Sequence, residues 1–332
     1  MLKTKDIRRR LKEIDEFLLD QYKVQNPEKK QDWRTYDEQY AIRIKEAMTQ
    51  LEPLVNEAVG QVQQHAGPGR PHDLTLNQRV LLLLLQRLFK ESNRMMASML
   101  MIFSILSGVD VGYKTVERLY SDEEVCEALD NLHTIILKRK GVSDVDASGD
   151  GTGYSLTIKK HYATEADKQK DKAKEANVGA KHMFIYSFKL TDIKTKLYVA
   201  RGTSAISEKR AFDKTLDMLG EIEVCLNSVR LDKYYSCAAY VDRFDERTAV
   251  FIMPKKNATI KGSWKWKRQL MKFYEDTMQY LKEYYQREHS ENGWSVDKRR
   301  LGWTIPQRRN DRIDVSDHCT MLWHNLFLLG AG

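Results

Sequence analysis

Apolar side chains recur at helical spacing, with charged residues between them, over the first 66 positions of the chain. Leu11, Ile14 and Leu18 form one such series, and a second series follows the polar stretch 26–34. Because residues three and four apart lie on one face of a helix, the pattern predicts a helical arm over residues 1–66. A helical hairpin or a dimerisation arm would both fit it.

A break rich in glycine and proline at residues 65–71 precedes a second helical region. A helix, a turn with two glycines and another helix at 113–120 then follow in the order of a helix-turn-helix. In that interpretation Lys114 and Arg118 of the second helix face the major groove of DNA. Ordinary packing of three helices explains the same pattern, so both interpretations of residues 67–140 stay open.

From about residue 142 the pattern changes to short strands. The predicted order is three strands, then helix, strand, helix, strand and helix, with helices at 208–226 and from about Ser263 into the 290s. This is the order of a ribonuclease-H-like fold. The predicted fold class is therefore α/β, a mixed sheet flanked by helices over residues 141–332, preceded by an all-helical N-terminal region.

Composition narrows the function classes. The 332 residues include 55 Lys and Arg against 47 Asp and Glu, a net charge of +8 that favours a polyanionic partner, above all nucleic acid. The four cysteines form no CxxC pair, which favours a reducing compartment. No nucleotide-binding fingerprint occurs. The apolar run 80–85 is far shorter than the roughly 20 residues that span a bilayer, and the charged N-terminus does not resemble a signal peptide, so we expect a cytoplasmic protein without membrane contact.

Three acidic residues fall where this fold brings chain segments together. Asp150 ends the first predicted strand, Asp232 ends the fourth, and Glu291 lies on the late helix. Hard divalent cations such as Mg²⁺ take carboxylate oxygens as ligands. Taken singly, each residue also has a structural explanation: Asp150 fits a turn, Asp232 a helix N-cap, and Glu291 a solvent-exposed helix position. Asp146 is an alternative to Asp150, because residues four apart on a strand share a face.

Residues 284–298 carry the spacing Y-x2-R-x3-E-x6-K, formed by Tyr284, Arg287, Glu291 and Lys298. On one continuous helix these four side chains lie within about 60° of one another. The carboxylate can hold a metal ion, the arginine can fork onto a phosphate, and the lysine adds a point charge. Gly293 is expected to interrupt this helix.

This spacing is the signature of a large group of bacterial and archaeal DDE-class insertion-sequence transposases, which the chain resembles from about residue 68 to 330. D-G-T-G-Y at 150–154 is similar to the segment with the group's first aspartate, and L-D-K-Y-Y-S at 231–236 to the segment with its second. The acid that the group has beside Ser236 is missing here. Residues 251–258 resemble the basic segment after the group's fifth strand.

The resemblance implies a function and a set of partners. Asp150, Asp232 and Glu291 would hold two Mg²⁺ ions, for which Mn²⁺ can substitute. The enzyme would nick the ends of its element and join 3′-hydroxyl ends to target DNA. Helices of the N-terminal region would recognise terminal inverted repeats in a homodimer, in the nucleoid-associated cytoplasm of a prokaryote. A non-catalytic DNA-binding regulator derived from a transposase, and a metal-dependent nuclease of the same fold, are the alternatives.

Further DNA contacts are expected from basic and aromatic side chains. Such mixtures can grip phosphates and stack on exposed bases, although Trp266 also fits a core position. The arm at residues 1–66 could likewise grip DNA. The predicted DNA-binding residues are Tyr284, Arg287, Lys298, Arg299, Arg300, Lys255, Lys256, Trp264, Trp266, Lys114 and Arg118.

Overall fold

The structure, a computed structural model, describes residues 2–27, 32–63, 73–90, 92, 95–107, 110–156 and 184–329. Helices occupy the first part of these ranges, and strands alternate with helices in the second. The first part contains α1 (Thr4–Glu13), a π-helical turn (Ile14–Leu18), α2 (Leu19–Gln25), α3 (Trp33–Val59), α4 (Leu76–Leu88), α5 (Ala97–Ser107), α6 (Tyr113–Leu119) and α7 (Glu123–Arg139). The second contains β1 (Asp144–Leu156), β2 (Ile185–Asp192), β3 (Tyr198–Ser204), α8 (Glu208–Glu221), β4 (Cys225–Leu231), a 3-10 turn (Lys233–Tyr235), α9 (Ala238–Val241), β5 (Ala249–Ile252), α10 (Trp264–Glu275), α11 (Thr277–Tyr285), α12 (Glu288–Leu301), β6 (Thr304–Ile305) and α13 (Asn310–Leu329).

Within these ranges the strands form one sheet in the order β3-β2-β1-β4-β5, and β6 pairs with the end of β1. β2 runs antiparallel to β1 and β3, whereas β4 runs parallel to β1 and β5. The chain is thus a mixed α/β protein with a mixed sheet flanked by helices and a helical N-terminal region, which confirms that part of the prediction.

One face of the sheet is apolar and packs against α8. Gly202 allows this close approach, because a Cβ there would lie 2.2 Å from the carbonyl oxygen of Ala211 in α8. On the same face, a Cβ on Gly149 would lie 2.7 Å from the side chain of Leu231 in β4. A larger residue at Gly202 would have to displace the backbone of α8, and one at Gly149 would have to displace the side chains packed around it. Because side chains alternate along a strand, the residues next to Gly149 in β1 and next to Gly202 in β3 point to the other face of the sheet.

That other face is polar and is covered by α12 and α13. Lys189 of β2 lies 3.3 Å from Asp317 of α13, and both side chains are fully buried. Ser187 also donates a hydrogen bond to Asp317 over 3.0 Å, and the ammonium group of Lys189 lies 4.4 Å from the ring centre of Trp294 in α12. Pairing reduces the cost of burying the two charges, so these contacts hold α12 and α13 against the sheet.

The N-terminal helices share a core with the sheet domain, since α13 packs against α3, α4 and α7. The indole N–H of Trp323 donates to the carbonyl oxygen of Leu84 over 2.8 Å, and Arg87 Nε donates to Thr320 over 2.7 Å. One cluster of buried apolar residues includes members from both regions. The domain boundaries at residues 66 and 140 and the dimerisation role of the arm stay predictions.

Several predicted elements have different bounds in the structure. The helix predicted from Ser263 into the 290s is three helices, broken at Asp276, whose carboxylate caps α11, and again at residues 286–287. The helix predicted at 208–226 ends at Glu221, because Ile222 is already extended. The first strand continues through Asp150 to Leu156 instead of ending there. Within the described ranges, none of the helices combines the length and apolar character that crossing a membrane requires.

Candidate functional site

Asp150 and Asp232 lie side by side on the polar face of the sheet. The parallel register pairs Gly149 of β1 with Leu231 of β4, so the two aspartates occupy the next position on each chain segment. A single nitrogen of Arg287, Nη1, lies 3.6 Å from Asp150 and 3.8 Å from Asp232. The guanidinium therefore offsets the charge of both carboxylates at once.

Polar side chains of β1 hold the helical segment that carries Arg287. Ser148 Oγ donates a hydrogen bond to the backbone carbonyl of Arg287 over 3.1 Å, and Lys298 Nζ donates to Thr152 Oγ1. Ser148, Asp150 and Thr152 alternate with glycines and so face the same side. The strand period of two thus presents three successive polar groups to one helix.

Arg287 sits at the junction of α11 and α12, directly before the first residue of α12. Tyr284, one turn earlier, is buried, and burial raises the pKa of its hydroxyl. The charge of Arg287 lowers the pKa of Tyr284 and that of Asp232 raises it, so the tyrosine lies near both charges. Tyr284 is therefore packed beneath the site, with little surface for a direct DNA contact.

Lys298 lies between two aromatic rings at the other end of the site. Its ammonium group is 5.4 Å from the ring centre of Tyr154 and 5.1 Å from that of Trp303. Burial lowers the pKa of Lys298, the charge of Lys189 lowers it further, and Asp150 raises it. The group is a cation that loses its proton more readily than an exposed lysine does.

The turn after β4 orients Asp232. Its carboxylate accepts a hydrogen bond from the backbone N–H of Tyr234 over 2.7 Å, capping the 3-10 turn as an N-cap residue does. Tyr234 itself is 52% exposed. Lys255 Nζ donates to the carbonyl oxygen of Tyr234 over 3.0 Å, which brings one of the predicted DNA-binding lysines to the rim of the site.

Asp146, the alternative to Asp150, has other partners. Its carboxylate accepts a hydrogen bond from Ser228 and lies 3.8 Å from Arg230. Arg230 in turn pairs with Glu283 of α11. Asp150, and not Asp146, therefore shares the guanidinium of Arg287 with Asp232.

Glu291 lies in α12, one helical turn after Arg287, and its side chain is outside the described residues. Gly293 does not interrupt this helix, contrary to expectation. A Cβ there would lie 2.7 Å from Tyr198 Oη, so the glycine lets α12 approach the sheet closely. Among the described side chains no group of three His, Cys, Asp or Glu forms a metal site, so Asp150 and Asp232 are a pair of candidate ligands.

The remaining predicted DNA-binding residues separate into exposed and buried groups. Trp264 is 67% exposed, whereas Trp266 is 3% exposed and its indole N–H donates to the carbonyl oxygen of Thr259. The structure thus puts Trp266 in the core, because α10 packs that face inwards. Arg300 lies against the rings of Tyr40 and Phe327, so it joins α12 to α3 and α13. The other predicted DNA-binding residues are exposed or half-exposed: Lys114, Arg118, Lys255, Lys256 and Arg299.

Trp303 was not among the residues singled out in the sequence. It is 62% exposed and lies beside Lys298. Its carbonyl oxygen accepts a hydrogen bond from the N–H of Ser155 over 3.2 Å, which ties it to β1. The signal that could have found it is its position three residues after the basic stretch at 298–300, where an aromatic side chain can add stacking to charge.

No protein-family model matches the chain. One curated protein is similar to it over most of its length: 284 residues align with 45% identity, covering 86% of this chain and 84% of the relative. That relative is described as a probable transposase for insertion sequence element ISA1214 of Archaeoglobus fulgidus.

Proposed function

The chain belongs to the insertion-sequence transposases, and we propose that it cuts the ends of its element and joins 3′-hydroxyl ends to target DNA by two-metal-ion phosphoryl transfer. The observation that carries the proposal is the pair of carboxylates, Asp150 and Asp232, that share Arg287 at 3.6 and 3.8 Å. The strand order, with β2 antiparallel and β4 parallel to β1, supports a ribonuclease-H-like catalytic domain.

The donor chemistry of this pair fits Mg²⁺ or Mn²⁺. Both ions favour carboxylate oxygens and keep open positions for phosphate oxygens. Asp150 and Asp232 would hold them together with Glu291, which follows Arg287 by one turn of α12. When bound, such ions activate an attacking hydroxyl or water and stabilise the leaving oxygen.

The other site residues bind and orient the DNA in this proposal. Arg287 already offsets the two carboxylates, and a DNA phosphate is its natural alternative partner once cations occupy the site. Lys298 adds a positive charge that Thr152 holds in place. Trp264 and Trp303, both more than half exposed, offer rings on which unpaired bases can stack.

The N-terminal region supplies end recognition in the proposal. α5 and α6 follow one another as a helix-turn-helix would, and Lys114 and Arg118 are exposed on α6. Terminal inverted repeats call for two copies of the recognition unit, which is consistent with a homodimer on DNA. Transposition of a prokaryotic element takes place on DNA in the cytoplasm, where we expect the protein to act.

The test is incubation of the full chain with duplexes that carry the DNA flanking its gene, in Mg²⁺ or Mn²⁺. The proposal expects nicks at the element ends, followed by products joined to target DNA. Cleavage without joined products would favour the nuclease of the same fold. End binding without any cleavage in either metal would favour the non-catalytic regulator.

A further inference from the structure

Another carboxylate, that of Glu208, lies close to Asp150 and Asp232, on the apolar side of the sheet. Glu208 is the first residue of α8, directly after the N-cap Ser207. A Cβ on Gly151 would lie 2.6 Å from Cδ and 2.7 Å from Oε1 of Glu208. The glutamate side chain therefore rests against the backbone of the residue that follows Asp150, in space that only glycine leaves open.

The same carboxylate also contacts the turn after Asp232. Tyr235 Oη donates a hydrogen bond to Glu208 Oε1 over 2.7 Å. Tyr235 ends the 3-10 turn that Asp232 caps, and its buried ring packs against Phe188 and Phe212, with ring centres 5.5 and 4.9 Å away. Burial raises the pKa of Tyr235, and the charge of Glu208 adds to this, so the hydroxyl keeps its proton and remains a donor.

Other side chains also pack on the apolar side of this strand: Leu231, Phe188 and Leu190 lie beside Gly149, and Phe184 lies beside Gly153. Gly149, Gly151 and Gly153 alternate along β1, and none has a side chain that could lock the backbone in one position. Glu208 fills the space beside the middle glycine and is itself held by Tyr235. One side chain thereby joins the segment after Asp150 to the segment after Asp232.

We propose that Glu208, held by Tyr235, is a positioning residue that sets the separation of Asp150 and Asp232 for the metal-dependent step. The inference rests on the proposed transposase function and extends it to the opposite side of the sheet. Outer partners of metal ligands act in this way in many sites, by fixing the ligands that touch the ion.

A role for Glu208 as a metal ligand is a different hypothesis, and the geometry disfavours it. Asp150 and Gly151 are neighbours on a strand, so the aspartate side chain and the space that Glu208 fills lie on opposite faces. Glu208 is among the described residues, and within them no three acidic, His or Cys side chains form a group that could bind a metal ion. Glutamine can replace glutamate as a hydrogen-bond acceptor but not as a charged ligand, so this substitution separates the two roles.

The experiment uses the full chain with Glu208→Ala, Glu208→Gln, Tyr235→Phe and the double variant Glu208→Ala/Tyr235→Phe. The readouts are Mn²⁺ affinity, from calorimetry without DNA, and the single-turnover rate of nicking on the flanking-end duplex. Glu208→Ala and Tyr235→Phe should each lower both quantities about 10- to 100-fold, the range typical of outer-shell partners. The double variant should lose no more than either single variant, because both break one link.

Glu208→Gln should keep most of the wild-type Mn²⁺ affinity and nicking rate. Glu221→Ala, at the exposed end of the same helix, is the matched control. Thermal unfolding of each variant checks that it is folded. A Glu208→Gln variant as impaired as Glu208→Ala would overturn the proposal in favour of a charged ligand, and normal Mn²⁺ affinity and nicking in Tyr235→Phe would overturn it outright. If the wild type itself neither binds Mn²⁺ nor nicks the ends, it is the proposed function that fails.

Discussion

Arg287 Nη1 lies 3.6 Å from Asp150 Oδ1, across the interface between the central strand and the start of α12. The same nitrogen is 3.8 Å from Asp232, so the cation stands between two like charges that would otherwise repel each other. A divalent cation bound by these carboxylates has to compete with the guanidinium for them. The first prediction follows from this competition.

Arg287→Gln should destabilise the metal-free protein by about 1–2 kcal/mol, between the values typical of exposed and buried ion pairs. Mn²⁺ should then raise the unfolding temperature of the variant more than that of the wild type, because ligand binding to the folded state stabilises it by mass action. Thermal unfolding over a series of Mn²⁺ concentrations measures both effects. Arg243→Gln, which removes the remote Arg243–Asp213 pair, is the control, and equal Mn²⁺ shifts in all three proteins would contradict the prediction.

The carboxylates themselves should separate chemistry from binding. Asp150→Asn, Asp232→Asn and Glu291→Gln each remove one negative charge with little change in volume. Each should lower the cleavage rate at least about a thousandfold, since several kcal/mol of transition-state stabilisation are lost at ~1.4 kcal/mol per decade. DNA binding should persist or strengthen, because repulsion of the phosphates falls.

A cleavage and strand-transfer assay beside a gel shift on the same DNA checks this prediction. Asp146→Asn is the matched control, because Asp146 pairs with Ser228 and Arg230 instead of Arg287. Loss of cleavage in Asp146→Asn but not in Asp150→Asn would reverse the assignment of the first aspartate. Normal cleavage in all the aspartate and glutamate variants would refute the proposed active site.

The order of strands and helices could be predicted from the sequence because it depends on local patterns. The proximity of the two aspartates followed from the fold that this order indicates, in which β4 pairs with β1. Apolar runs of strand length mark the sheet, and Asp150 and Asp232 stand in recognisable segments of it. The sequence could also have predicted that only one of Trp264 and Trp266 is exposed. Residues two apart on a helix point about 200° away from each other, so only one of the two rings can face outwards.

The break between α11 and α12 at residues 286–287 could not be predicted from the sequence, because no glycine or proline marks it. It coincides with the hydrogen bond from Ser148 to the carbonyl oxygen of Arg287, a contact between positions 139 residues apart. Glu208 is a similar case. The sequence shows an acidic residue in the first turn of a helix, which the helix dipole alone explains. Its contacts with Gly151 and Tyr235 exist only in the folded chain.

Lys298 should make DNA binding sensitive to alkaline pH. Burial lowers its pKa below the usual value, so the ammonium group loses its proton, and its attraction for phosphate, at a lower pH than an exposed lysine does. The affinity of the wild type for end DNA should therefore fall as the pH rises towards 10. Lys298→Arg should remove this fall, because a guanidinium stays charged throughout that range.

Gel shifts or fluorescence titrations between pH 7 and about 10 measure this effect, within the range where an exposed lysine is still charged. Lys114→Arg is the comparison, since it makes the same substitution at an exposed position on α6. Identical profiles for the wild type and Lys298→Arg would show that Lys298 does not contact the DNA as a titrating cation.

The close packing of α12 on the sheet gives the last prediction. A Cβ at Gly293 would lie 2.7 Å from Tyr198 Oη, and the Tyr198 ring is fully buried and stacked on His324 with centres 3.9 Å apart, so it has no room to move. Gly293→Ala should therefore destabilise the fold by about 1–3 kcal/mol, as overpacking does, although alanine is the better helix former. Tyr198→Phe removes the clashing oxygen, so in that background Gly293→Ala should cost little. Urea unfolding of the four proteins in this cycle measures the coupling, and Gly220→Ala, in α8 with open space around it, is the control that should be neutral or stabilising. An equal cost of Gly293→Ala with and without the hydroxyl would mean that the contact with Tyr198 does not hold α12 at its distance from the sheet.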